Sequence, residues 1–184
     1  EMEEMPTTGE HYVIETWVNR IYRQFTDRLF AITNPQTGKV YGYAFSTWAL
    51  IDTTSRQPMD LAELPNGGFS SALIDKEIPI AGPGRIRLKN TENAVRTRQA
   101  YYTDLDINGH VNSIRYIEMM LDLFPAKQFE ASPVKRLEVA YSAEAYANDF
   151  LQFYQEPSAK SDATLVEIRK EEGRIPVVKA AVTF

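Results

Sequence analysis

The segment RLFAITNPQTGKVYGYAFSTW, residues 28–48, can be laid over TLVEIRKEEGRIPVVKAAVTF, residues 164–184, at an offset of about 136 residues. Strand, turn glycine and strand coincide once a one-residue gap is allowed at the turn, and Tyr41 to Trp48 then fall on Val177 to Phe184. Self-similarity at a fixed offset restricts the fold to two versions of one unit. Both copies are rich in β-branched and aromatic residues between short polar breaks, which is the pattern of antiparallel strands. The second copy is preceded by a strand, a helix and another strand, whereas the first has only a short stretch before it. The comparison therefore predicts that the first copy lacks its opening strand and helix, roughly 45 residues. On that reading the chain is an N-terminally truncated piece of a longer two-copy protein.

Three regions follow: a partial first unit over residues 1–64, a linker over 65–93 and a complete second unit over 94–184. In the first, HYVIETWVNRIY, RLFAIT and VYGYAFSTWALID read as strands, and NPQTGK between the last two is a hairpin signal in which Pro35 and Gly38 supply the turn geometry. The linker clusters Pro, Gly and Asn in PNGG, PIAGPG and KNTEN, so little regular structure is expected there. The second unit opens with AVRTRQAYY as a strand and continues through TDLDINGHVN into a helix. Four strands follow, VKRLEVAYS, DFLQFYQE, ATLVEIRK and PVVKAAVTF.

The helix is predicted from Val111, Ile114, Ile117, Leu121 and Phe124, which recur at three- and four-residue steps, with Pro125 ending it. A helix of about 14 residues covering the apolar face of an antiparallel sheet, in the order strand, helix, four strands, is an α+β hotdog arrangement, here as a tandem repeat. Two such units, from one chain or from two copies in a homodimer, can join edges and leave an apolar slot at the seam.

Composition removes several function classes. A net charge of −5 and a pI near 5.2 argue against nucleic acid as the main partner, because phosphate binding rests on a positive surface. With no cysteine, a thiol nucleophile, a thiolate metal site and a disulfide framework are all ruled out. The two histidines, His11 and His110, lie in separate repeats and make a poor ligand set, so neither a metal nor a cofactor is expected. No apolar run reaches the roughly 18 residues of a membrane helix. The acidic start EMEEMPTTGE does not resemble a signal peptide, which predicts a cytoplasmic protein.

Chemistry concentrates in Thr103-Asp-Leu-Asp-Ile-Asn-Gly-His-Val-Asn112. A helix N-terminus offers free backbone amides and positive partial charge, which suit an oxyanion. If the stretch is extended, Asp106, Asn108 and His110 point to one side, and Leu105 and Ile107 to the other. Such a group set fits hydrolysis of an ester or thioester, where a water must be deprotonated and an oxyanion stabilised. Asn112 and Asn108 are also ordinary capping residues.

DLDINGHVNSIRYIEMMLD resembles the signature of the acyl-(acyl carrier protein) thioesterases of plants and bacteria, close to DxDxNxHVNN followed by a helix. GEHYVIETWVNRIY through GKVYGYAFSTWALIDTTSRQP resembles the back half of that family's first hotdog unit. The resemblance covers nearly the whole chain. It implies hydrolysis of fatty acyl-acyl carrier protein, ending chain elongation, in the cytoplasm of a bacterium. It places the catalytic groups on Asp106, Asn108, His110 and Glu144, the last within LEVAYSAEAY, which looks like the family's LEYRREC strand. Position 145, a cysteine in many plant members, is Ala145 here. Asp106 is then expected to fix the site, Asn108 and His110 to contact water or the carbonyl, and Glu144 to act as general base. Glu118 and Asn112 are secondary candidates. For the acidic carrier protein, Arg85, Arg87, Lys89, Arg96 and Arg98, set against the single acid Glu92, form the candidate docking patch. Two rival readings stay open: a hotdog thioesterase acting on coenzyme A esters, and a non-catalytic acyl-binding module whose motif only caps a helix.

Overall fold

β-branched and aromatic residues in the first 50 positions form three strands, β1 (Val13–Tyr22), β2 (Phe25–Thr33) and β3 (Val40–Ala49), in an antiparallel meander. The computed structural model describes residues 1–55, 57–61, 64 and 72–184. The chain divides into two units, Glu1–Pro83 and Gly84–Phe184.

The first unit buries Trp17, Leu29 and Ala31 on one face of its sheet, with Tyr43, Phe45 and Ile78 packed against them. The Trp17 indole N–H donates to the Lys76 carbonyl at 2.7 Å, fixing the returning segment on that face. On the other face lies a groove of about 380 Å³ lined by Val18, Thr26, Arg28, Phe30, Trp48 and Leu61, among others. Trp48 there is 59% exposed. No α-helix occurs among the described residues of this unit.

In the second unit, β4 (Arg96–Gln99), β5 (Arg136–Tyr141), β6 (Phe150–Pro157), β7 (Thr164–Lys170) and β8 (Ile175–Thr183) form one antiparallel sheet in the order β4-β6-β7-β8-β5. Phe153 lies opposite Ile168, and Ile168 opposite Val178, so the period of two gathers them on one face with Val166, Ala180 and Val182. Helix α1 (Ser113–Leu121) contributes to the same core. Burial of each such side chain contributes roughly 1.5–3 kcal/mol. This is the expected α+β hotdog unit.

Three local expectations need correction. Of the expected stripe, Val111 and Phe124 are buried and Ile117 and Leu121 pack against the core, but Ile114 is 58% exposed, and Tyr116, Met119 and Met120 are buried as well. The helix is also shorter than expected: it ends at Leu121, with Asp122 as its C-cap, and Pro125 instead opens a second helix, α2 (Ala126–Ala131). Strand β4 stops at Gln99, and Tyr102–Asp104 forms one 3-10 turn.

The segment expected as a linker has little regular structure but is tied down piecewise. Lys76 and Ile78 bind the first unit as described above. In the second unit Leu88 is buried, Gly84 N–H donates to Glu138 at 2.7 Å, and Lys89 and Asn90 N–H donate to Glu156 at 2.7 and 2.9 Å. The expected PNGG turn lies outside the described residues. No helix among the described residues is long and apolar enough to cross a membrane.

Candidate active site

The stretch from Asp106 to His110 is not extended but a tight turn. Asp106 Oδ1 accepts the backbone N–H of Asn108 at 2.8 Å and of His110 at 3.3 Å. The Asp106 N–H donates to the His110 carbonyl at 2.8 Å, and Gly109 N–H to the Asp106 carbonyl at 3.1 Å. Gly109 takes φ +78°, a conformation that glycine reaches without a Cβ penalty. The side chains therefore do not alternate between two sides, and Ile107 is fully exposed. An aspartate that bonds its own backbone two residues on, ahead of Asn-Gly, favours a turn over a strand. The Asp106 carboxylate thus holds the main chain of this turn.

Two staples hold the loop to the core. Asn112 N–H donates to the Asp104 carbonyl and Val111 N–H to the Ala145 carbonyl, each at 2.8 Å. Asp104 itself is buried. Arg98 Nη2 donates to both of its carboxylate oxygens, at 2.9 and 3.0 Å, and Tyr101 N–H donates to Oδ2 at 2.8 Å. These charge-assisted bonds hold the carboxylate in place. Sequence reasoning passed over Asp104, although it is the first carboxylate of DLD.

Glu144 approaches from the connection between β5 and β6. Its Oε2 lies 3.4 Å from His110 Nε2. The Tyr146 hydroxyl donates to the same oxygen at 3.1 Å, and the Tyr146 ring meets the His110 ring edge-on, centroids 5.1 Å apart. Both carboxylate and imidazole are partly open to solvent, with side-chain exposures of 39% and 25%. Between Glu144 and Tyr146, Ala145 points into the core and is fully buried. Its N–H donates to the Tyr116 hydroxyl oxygen at 3.2 Å. Burial pushes the Tyr116 phenol well above its usual range, so it stays neutral. A side chain at position 145 thus faces away from the imidazole.

The remaining candidates separate. Asn108 is exposed, and its carboxamide makes no hydrogen bond within the described residues, leaving it available to a substrate. Asn112 is the N-cap of α1, its Oδ1 accepting Ile114 N–H at 2.8 Å. Glu118 pairs with Arg115 at 2.7 Å on the exposed face of α1. In the basic patch Arg85, Arg87, Lys89 and Arg96 are exposed, but the charge of Arg98 is neutralised by Asp104. Glu138 and Glu156 also line the cleft of about 930 Å³ beside residues 84–89, so the patch is less basic than its own segment indicates. Tyr146 was the other residue missed. It stands two positions after Glu144 in an extended stretch, and period two already placed both on one side. No group of three His, Asp or Glu side chains among the described residues is placed to hold a metal.

The pattern described as the Acyl-ACP thioesterase C-terminal domain matches residues 88–184, which include His110 and Glu144, and the N-terminal domain pattern matches residues 1–64. The chain belongs to the acyl-ACP thioesterase family. The crystal structure of an acyl-ACP thioesterase from Bacteroides thetaiotaomicron superposes with a TM-score of 0.90 at 41% identity, covering 100% of this chain and 72% of that one. Among curated acyl-ACP thioesterases, the chloroplastic dodecanoyl-[acyl-carrier-protein] hydrolase of Cinnamomum camphora is 25% identical, over 97% of this chain and 49% of its own length. The chloroplastic palmitoyl-acyl carrier protein thioesterase of Gossypium hirsutum is 24% identical, over 80% and 37%. The chain thus spans half or less of the length of these curated relatives.

Proposed function

We propose that this chain carries the catalytic centre for hydrolysis of fatty acyl thioesters on acyl carrier protein, releasing the fatty acid and ending elongation, in the bacterial cytoplasm. The observation that carries this reading is the partly exposed His110 and Glu144 pair, its members 3.4 Å apart. Glu144 takes a proton from water as the water oxygen attacks the thioester carbonyl carbon. The carbonyl π pair moves to oxygen, where Asn108 and His110 donate hydrogen bonds, each such donor worth about 3 kcal/mol. Collapse of the tetrahedral intermediate expels the thiolate, which takes up the proton removed from water. The products are a fatty acid and a free thiol. A thiolate leaves without strong acid assistance, so base and donors suffice, and with no cysteine in the chain water is the nucleophile.

Glu144→Gln keeps the size of the side chain and removes the base. It should lower hydrolysis by roughly 100- to 10,000-fold with circular dichroism unchanged. Wild-type turnover by this folded variant would remove Glu144 as the base, and no hydrolysis by the unaltered chain would leave only a binding module. A parallel assay with coenzyme A esters of matched chain length separates the two carriers.

Carrier-protein docking is assigned to Arg85, Arg87, Lys89 and Arg96, the exposed members of the patch. Charge reversal of Arg85 and Arg87 should raise KM for carrier-bound substrate roughly 10-fold and spare short thioester mimics. Equal losses on both substrates would discard this surface.

A further inference from the structure

Glu144 and His110 come from different loops, and what joins them is not confined to their own contact. We propose that Tyr146 is a positioning residue that fixes the Glu144 carboxylate against the His110 imidazole and is itself held by Lys170 and Asp149. This deepens the reading above and rests on Glu144 acting as the base.

Three faces of Tyr146 are engaged. Its hydroxyl donates to Glu144 Oε2, the oxygen nearest His110 Nε2. Its ring stands edge-on to the imidazole, at 85°, and its backbone forms an isolated antiparallel bridge with His110. Lys170, at the end of β7, places Nζ 5.4 Å from the Tyr146 ring centroid and 3.6 Å from Asp149 Oδ2. That same Asp149 oxygen accepts the Tyr146 N–H at 3.0 Å. The Lys170 side chain is only 15% exposed, so its ammonium is confined beside the ring. A cation in this place attracts the ring electrostatically, and confinement strengthens the attraction. The hydroxyl in turn restricts Glu144 to the rotamer that meets His110, which is what a proton transfer of defined direction requires.

The experiment is a double-mutant cycle on the full 184-residue chain with a short acyl thioester of N-acetylcysteamine. Tyr146→Phe keeps the ring and removes the donor. It should lower kcat about 10-fold, the worth of one hydrogen bond to a charged group, with KM within about twofold. In a Glu144→Gln background the same change should cost nothing further. Lys170→Met should lower kcat about threefold, the worth of one partly desolvated cation–π contact. Independently of turnover, the chain has only two imidazoles, so proton NMR resolves His110 from His11. Tyr146→Leu should shift the His110 Cε1–H signal by removing the neighbouring ring and leave His11 in place. Wild-type kcat in Tyr146→Phe, an equal loss in the Glu144→Gln background, or an unmoved His110 signal in Tyr146→Leu would each overturn the assignment. Wild-type turnover by Glu144→Gln alone would remove the base and this inference together, an outcome visible before Tyr146 is touched.

Discussion

Strands β1 to β3 of the first unit and β6 to β8 of the second are the same antiparallel meander, yet the His110 and Glu144 pair stands in the second. In the second unit α1 and the sheet share a core that includes Leu151, Phe153, Val166 and Ile168, all fully buried. In the first, the described residues supply no helix, and the groove beside Trp48 and Phe30 remains. The strands are therefore a scaffold in both cases. What distinguishes the second unit is the pair of segments attached to its sheet: the motif turn ahead of α1, and the Glu144 to Tyr146 stretch between β5 and β6. The candidate site thus lies in connections that a rigid sheet positions.

Two measurements bear on that contrast. The larger concerns packing. Phe153→Ala removes a ring from a filled core and should cost about 3–5 kcal/mol, whereas Trp48→Ala, at an exposed position, should stay within about 0.5 kcal/mol. Urea unfolding of each variant reads the difference. Equal losses would mean that the open face of the first unit is as tightly packed as the helix-covered face of the second.

The smaller concerns the segments that strap each sheet. In the second unit, Lys89 and Asn90 N–H hold the Glu156 carboxyl below its usual range. A carboxylate lowered on folding stabilises at pH above its unfolded value and loses that contribution as pH falls through the folded one. Protection of the Lys89 and Asn90 amides against hydrogen exchange should therefore drop below about pH 4, the ordinary carboxylate range. The first unit's strap combines an exposed Lys76–Glu15 ion pair at 2.6 Å with a neutral contact, the Trp17 indole on the Lys76 carbonyl, and that indole N–H, which meets no carboxylate, should keep its protection over the same range. Loss at both straps together would indicate general acid unfolding.

The division of sequence and structure is instructive at particular residues. The repeat, the strands and the hotdog order were legible because side-chain period and turn glycines are local signals, and Gly38 and Gly173 both take positive φ where the alignment set a turn. Most of the inward stripe of α1 was legible, since Val111, Ile117, Leu121 and Phe124 reach the core; the exchange of Ile114 for Tyr116, Met119 and Met120 was not, because only the facing sheet decides it. Alternation of Asp106, Asn108 and His110 held only for an extended stretch, and the Asn-Gly pair folds it into a turn instead. Asp104 was overlooked because its partner Arg98 belongs to a strand whose charge had been counted toward docking. The meeting of His110 with Glu144 joins positions 34 residues apart. It entered through family resemblance, since no local pattern encodes such a contact.

The staples flanking the motif turn have a last consequence. With Val111 tied to the Ala145 carbonyl and Asn112 to the Asp104 carbonyl, the main chain on the C-terminal side of His110 has little room to shift. Movement at this turn is then left to rotation about the χ angles of His110, Asn108 and Glu144. Adaptability here is thus a matter of rotamers, with the loop itself serving as a fixed post.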